Sequence, residues 1–142
     1  MARAIELFLA LFRIAYGLFF IAVDAWVAIA VSRGQEEIFP QPTRAATAFS
    51  TALADTGFVN PLMAATFLAG GLCLLFKRTA PLGIVILAPS VAIIFFFHLV
   101  LTGNWAWGSF WAAGLALLTW RFREAFRPLW SFEADASRQI RR

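Results

Sequence analysis

Charged residues are scarce in this chain. Of its 142 residues, 14% are charged and 61% are hydrophobic, and the mean hydropathy is +0.76. Soluble domains carry about a quarter charged residues and roughly half apolar ones. This composition therefore excludes an ordinary soluble domain and predicts an integral membrane protein. The length suits one domain over residues 1–142, built as a small bundle of membrane helices.

Cysteine and histidine are almost absent as well. Cys73 is the single cysteine, which excludes an intramolecular disulfide and a CxxC redox pair, so we interpret it as a small buried apolar residue. His98 is the single histidine, so no bis-histidine site exists within one subunit and ligation of haem or chlorophyll is disfavoured.

Motifs for soluble-enzyme chemistry are also missing. The chain has no Walker loop, HExxH pair, nucleophile elbow or dinucleotide fingerprint, and we assign no catalytic residue and no metal site. The net charge is +4, but the basic residues flank apolar runs, as contacts with lipid headgroups require. We therefore expect no nucleic-acid partner.

Four long apolar runs predict the fold class, an all-α membrane protein with a four-helix transmembrane bundle. The spans cover about residues 7–31, 61–76, 80–101 and 105–120. A helix needs about 20 residues to cross the bilayer and satisfies its own backbone hydrogen bonds there. The first run is longer than the roughly 7–15 apolar residues of a signal peptide, so we interpret it as a retained span.

The segment between the first two spans is expected to lie outside the cell. Residues 43–55 are rich in alanine and predict a short interfacial helix. Asn60 and Pro61 are typical of the N-cap and first position of a helix, so the second span is predicted to start there.

Basic residues predict the orientation. With four spans, nine flanking lysines and arginines fall on the side of the two termini and only two, Arg33 and Arg44, fall on the other. The nine are Arg3, Lys77, Arg78, Arg121, Arg123, Arg127, Arg138, Arg141 and Arg142. The positive-inside rule then places both termini in the cytoplasm, in a cytoplasmic (inner) membrane, with residues 121–142 as a basic cytoplasmic tail.

Three ionisable residues lie inside the apolar runs. Arg13 and Asp24 belong to the first run and His98 to the third. A charge in the middle of a bilayer costs about 2.5–3.5 kcal/mol on insertion scales, so such side chains should face protein, water or an interface. We take these three as a candidate polar or ligand-binding site.

Each of these residues has a structural alternative. Arg13 could extend to lipid headgroups, and Asp24 could be capped by water instead of belonging to a specific polar site. By the predicted topology Asp24 and His98 occupy the same half of the bilayer, so a hydrogen bond between the first and third spans would orient the imidazole for proton exchange or ligand binding. Otherwise His98 bonds a backbone carbonyl and has only a structural role.

Small residues predict where helices approach closely. We assign helix packing to Gly17, Gly70, Gly71 and Gly83, because glycine lets two backbones come close in lipid. Pro89 is expected to kink the third span.

Several short motifs, in order and at family-like spacing over residues 12–101, resemble the DoxX-like family of small four-helix membrane proteins. They are FRIAYGLFF at 12–20, TGF at 56–58, PLM at 61–63, GGL at 70–72, PLG at 81–83, LAP at 87–89 and FHL at 97–99. The resemblance implies a four-helix bundle in the cytoplasmic membrane. Some members are associated with quinone-linked sulfur oxidation and others with oxidative-stress complexes.

The match extends to some functional positions and fails at others. Arg13, Gly17 and His98 match the family pattern, and Asp24 falls where a polar residue is usual. Relatives often carry Glu, Asn and Lys at the positions of Phe67, Ile93 and Ala25. The absence of these polar groups argues against redox or proton chemistry shared with the family and favours an accessory or structural role.

Two functions follow from these observations. The first is a non-catalytic accessory or structural subunit of a membrane complex, with the lipid bilayer and other membrane subunits or a second copy as partners. The alternative is a redox-linked component that binds a quinone or another small ligand through Asp24 and His98. The cofactor is unknown, and a quinone is one group that the alternative could bind.

Overall fold

The computed structural model describes residues 2–35 and 40–129, and within them the chain is all-helical. The helices are α1 (Ala2–Ser32), α2 (Arg44–Asp55), α3 (Val59–Leu75), α4 (Ala80–Phe96), α5 (Trp105–Arg121) and α6 (Arg123–Phe126). Helix α4 continues as a π-helix over Phe97–Thr102, here named the π segment, and α6 leads into a single 3-10 turn, Arg127–Leu129.

Local sequence explains where several helices begin and end. Gly34, with φ of 73°, ends α1. Its N–H donates to the carbonyl oxygen of Val31, and the N–H of Gln35 donates to the carbonyl oxygen of Ala30, which is the pattern of a Schellman cap. Thr43 begins α2, since its hydroxyl accepts a hydrogen bond from the N–H of Ala46 at 3.1 Å. Gly103, with φ of 70°, ends the π segment, and α5 starts two residues later.

Four of the helices pack as neighbours in chain order. Helix α1 lies against α3, α3 against α4 and α4 against α5, and α5 also reaches back to α1. The shared core contains aromatic side chains from α1 and α5 and aliphatic side chains from α3, α4 and α5. Its buried members are Tyr16, Phe20, Leu74, Ala80, Ile84, Leu87, Val91, Trp111, Leu115 and Leu118. Helices α1 and α4 are therefore diagonal to each other rather than adjacent.

Glycines lie where these helices cross. Helices α1 and α3 cross at Gly17 and Gly71, and α3 and α4 cross at Gly70 and Gly83. A Cβ added to Gly83 would lie 2.7 Å from the carbonyl oxygen of Gly70, and one added to Gly70 would lie 2.5 Å from Leu87. At Gly17, Gly71 and Gly83 the obstructing atom is a backbone carbonyl oxygen of the neighbouring helix, so a larger residue there must push two helices apart.

Two helices are long and apolar enough to cross a membrane, namely Arg3–Ser32 and Ala80–Thr102. Helices α2 and α3, bent by 91° at the break between them, meet the same criteria as a pair, so the described residues hold two to three candidate spans. Helices α3 and α5 have 17 residues each, or about 25 Å at roughly 1.5 Å per residue. The prediction of an all-helical chain compatible with a membrane is confirmed, and the four-span bundle remains a prediction.

Differences from the sequence prediction are local. Helix α3 begins at Val59, whose N–H bonds the hydroxyl of Thr56 at 3.2 Å, so the predicted start at Asn60 and Pro61 is wrong by one to two residues. Helix α4 includes Pro89, where the expected kink stays a prediction, and its backbone changes to π-helical hydrogen bonding at Phe97. Residues 36–39 and 130–142, with the predicted tail residues Arg138, Arg141 and Arg142, lie outside the described residues.

Candidate functional site

Arg13 is the most deeply buried charged residue in the described structure, with 8% of its surface exposed. Its guanidinium donates a hydrogen bond through Nη1 to the carbonyl oxygen of Leu74. Leu74 lies in the last turn of α3, where carbonyls have no partner within their own helix. Arg13 on α1 therefore caps the C-terminus of α3, and its positive charge faces the negative end of that helix dipole.

A second side chain satisfies another backbone carbonyl at the same end of α3. The hydroxyl of Thr79, in the turn before α4, donates to the carbonyl oxygen of Cys73 at 2.7 Å. Two adjacent orphan carbonyls of α3 are thus satisfied by side chains from two other parts of the chain. Arg13 has a structural bond here, and the motif over 12–20 carries no sign of where its acceptor lies.

Tyr16 and Trp111 connect α1 to α5. The hydroxyl of Tyr16 donates to the carbonyl oxygen of Trp111 at 2.8 Å, and the ring of Phe19 stacks on that of Trp111 with centroids 3.8 Å apart. The indole N–H of Trp111 is buried and has no acceptor among residues 2–35 and 40–129. The sequence does not reveal this pair, because one tyrosine among many aromatic residues has no distinguishing pattern.

A third polar contact joins α3 to α4. The hydroxyls of Thr66 and Ser90 lie 2.9 Å apart, and Ser90 is 4% exposed. The hydroxyl of Thr66 also donates to the carbonyl oxygen of Met63, in its own helix, at 2.8 Å. A hydroxyl pair of this kind holds two helices together in an apolar setting. Its sequence signal is only one hydroxyl residue in each of two apolar runs.

His98 occupies the π segment and bonds its own helix. Its Nδ1 lies 2.9 Å from the carbonyl oxygen of Ile94, so Nδ1 carries the proton and donates. Its Cβ would lie 3.0 Å from a Cβ added at Gly108, which places His98 against α5. The structural alternative for His98, a bond to a backbone carbonyl, is the arrangement that the structure has.

Asp24 is half-buried on α1, and no hydrogen bond or ion pair involves it within the described part of the chain. No hydrogen bond or ion pair joins Asp24 to His98. Arg13 bonds Leu74 and neither of the other two. Within the described part of the chain, the three predicted site residues therefore share no direct polar contact.

An apolar groove runs along α4 and α5 on the outside of the helix assembly. Its volume is about 630 Å³, within the range of roughly 300–1,000 Å³ typical of small-molecule sites. Alanines 88, 92, 112 and 116 give it room, and Thr119 and Arg123 supply polar groups at one end. Asp24 and His98 do not line it.

Metal-ligand geometry is absent from residues 2–35 and 40–129, where no three His, Cys, Asp or Glu side chains are grouped to hold an ion. No protein-family model, no curated protein and no solved structure matches this chain. The resemblance to the DoxX-like family therefore stays a prediction, and the chain's own geometry has to support any functional conclusion.

Proposed function

We propose that this chain is a DoxX-like four-helix protein of the cytoplasmic membrane and serves as a non-catalytic accessory or structural subunit of a membrane complex. The observation that carries the proposal is the bond from Arg13 to Leu74. In a candidate membrane span, a charge is expected to mark a functional site. Here the charge instead caps a neighbouring helix, so its role is architectural.

Three other polar side chains support the same role. His98 bonds Ile94 within its own helix, Tyr16 joins α1 to α5, and Ser90 joins α3 to α4. Each of these groups has a structural partner and stabilises the assembly. A rigid helical scaffold of this kind offers an extended apolar surface to lipid or to other membrane proteins.

Purification under mild conditions tests the proposal. The tagged full chain should be extracted from its native membrane after brief chemical crosslinking, and the product should be weighed by native mass spectrometry. We expect a protein partner or a second copy at fixed stoichiometry. The Asp24→Asn and His98→Gln variants should retain the same partner in the same ratio. A lone chain, with no crosslinked product above the level of an unrelated tagged membrane protein, would contradict the proposal.

The groove along α4 and α5 favours a second candidate function, the binding of an apolar ligand with a polar head such as a quinone. Its apolar walls suit an isoprenoid chain, and Arg123 at one end could donate hydrogen bonds to carbonyl oxygens of a head group. The hydroxyl of Thr119 already donates to the carbonyl oxygen of Leu115. Asp24 and His98 have no part in this version of the candidate.

Extraction of the purified chain with organic solvent, followed by chromatography, tests the second candidate. Ala116→Phe should fill the groove and remove the ligand, whereas Ala113→Phe, at an exposed neighbouring position outside the groove, should leave it bound. Equal ligand content in the two variants, or no quinone in the wild-type extract, would eliminate this candidate.

A further inference from the structure

A small basic cavity lies at the end of the assembly where α1 begins and α3 and α5 end. Its volume is about 80 Å³, more than twice the roughly 30 Å³ that one water molecule occupies in the liquid. Three parts of the chain form its walls: α1, the α3–α4 turn and the end of α5. The lining residues are Glu6, Leu9, Ala10, Arg13, Lys77, Arg121 and Phe122. We name it the basic cavity.

Its charges do not balance. Three cations, Arg13, Lys77 and Arg121, line it with a single carboxylate, Glu6. The C-termini of α3 and α5 and the N-termini of α1 and α4 lie at the same end, and their partial charges, roughly half a charge each, offset one another. About two positive charges remain. Of residues 2–35 and 40–129, no carboxylate lies within salt-bridge distance of Arg13 or Lys77.

The donors in the cavity suit a phosphate group. A guanidinium has five N–H donors, and within the described structure Arg13 uses one of them, toward Leu74. Its fork can bind an oxyanion in bidentate fashion, and the ammonium of Lys77 adds a point charge. Burial strengthens such contacts, because Arg13 is largely removed from solvent.

Glu6 and Arg121 control the opening. Their side chains form a salt bridge of 2.6 Å and are 61% and 31% exposed, respectively. Glu6 therefore competes with an incoming anion for Arg121. Leu9, Ala10 and Phe122 give the same opening an apolar wall, which is where the glycerol and first methylene groups of a lipid would lie.

We propose that the basic cavity binds one phosphate group, held by Arg13, Lys77 and Arg121, with Glu6 as the competing anion. The phosphate belongs either to the headgroup of an anionic lipid or to a free phosphate ion. This site is independent of whether the chain has a protein partner, so its failure would leave the accessory role untouched.

Native mass spectrometry of the full chain in dodecyl maltoside micelles, with added dioleoyl phosphatidylglycerol, tests the proposal. We expect one lipid to be retained per chain. Lys77→Gln should weaken binding about fivefold, the effect of one basic residue near an anionic headgroup. Arg78→Gln is the matched control, because Arg78 is the next residue and equally charged but does not line the cavity. Glu6→Gln should strengthen binding.

Competition with added inorganic phosphate distinguishes a lipid headgroup from a free phosphate ion as the source of the bound phosphate group. If millimolar phosphate displaces the lipid and binds alone with the same order of variants, the site takes free phosphate; if it does neither, the ligand is the lipid headgroup. Equal losses in Lys77→Gln and Arg78→Gln would show unspecific surface charge and overturn the proposal. So would a Glu6→Gln variant that binds no more tightly than wild type. Glu6 is exposed, so this variant remains informative even if the Lys77 variant does not fold.

Discussion

Gly17 and Gly71 contact each other backbone to backbone. A Cβ added to Gly17 would lie 2.8 Å from the carbonyl oxygen of Gly71, and a Cβ added to Gly71 would lie 2.8 Å from the carbonyl oxygen of Gly17. The relationship is reciprocal and involves rigid backbone on both sides. It sets the distance between α1 and α3, and that distance allows Arg13, one turn earlier on α1, to reach Leu74.

A leucine at Gly71 should destabilise the protein by about 1–3 kcal/mol, the usual cost of overpacking. Here the obstructing atom is backbone and cannot rotate away. Ala69→Leu is the matched control, since Ala69 is exposed on the same helix and should tolerate the change within about 0.5 kcal/mol. The free energy of unfolding, measured by titrating maltoside micelles with dodecyl sulfate, compares the two. Equal losses would show that the crossing at Gly71 is not tight.

Removal of the Arg13 guanidinium should also destabilise the protein. Arg13→Met leaves the carbonyl of Leu74 without its donor, and a lost hydrogen bond to a charged group costs about 1.5–3 kcal/mol. Arg13→Lys should recover part of the loss, because an ammonium can also cap a helix C-terminus. Arg3→Met, at an exposed position of the same helix, serves as the control in the same unfolding titration. A Met variant as stable as wild type would refute the capping role.

Tyr16→Phe isolates the hydroxyl that joins α1 to α5. The ring contacts with Phe20 and Trp111 remain, while the 2.8 Å bond to the carbonyl of Trp111 is lost. The expected cost is about 0.5–1.5 kcal/mol. Phe12→Leu, which changes ring packing on the same face without touching a hydrogen bond, provides the comparison. If removing the hydroxyl changes nothing in the unfolding titration, the bond does not contribute to stability.

Asp24 and His98 should behave as independent residues. Since no hydrogen bond joins them and His98 bonds Ile94, the stability effects of Asp24→Asn and His98→Gln should add within about 0.3–0.5 kcal/mol in the double variant. The cycle is measured by the same unfolding titration. A larger coupling energy would show that the two side chains act together and would revive the ligand-binding role assigned to them from sequence.

The proposed orientation has its own test. Reporter fusions at Gln41 and after Arg142 should report opposite sides of the membrane, because the flanking basic residues divide nine to two between the two sides. An alkaline phosphatase fusion is active outside and a green fluorescent protein fusion is fluorescent inside, so the two reporters control each other. Both positions reporting the same side would contradict the four-span topology.

Helix positions could be predicted from sequence to within a few residues, and the site could not. The apolar runs at 80–101 and 105–120 correspond to α4 with its π segment and to α5, because a run of apolar residues bounded by glycine and polar residues specifies a helix locally. The partners of Arg13 and His98 were not predictable. Helices α3, α4 and α5 are apolar on nearly every side, so no hydrophobic stripe marks the face that packs inward.

Sequence by itself determined that this protein is helical and compatible with a membrane, because both properties follow from local composition and the backbone's need for internal hydrogen bonds. Tertiary structure alone decided that Arg13 caps α3, that His98 lies against α5, and that His98 bonds Ile94 rather than Asp24. These outcomes depend on the order and rotation of neighbouring helices. Contacts between residues far apart in the chain set that order and rotation, foremost the crossing of Gly17 and Gly71.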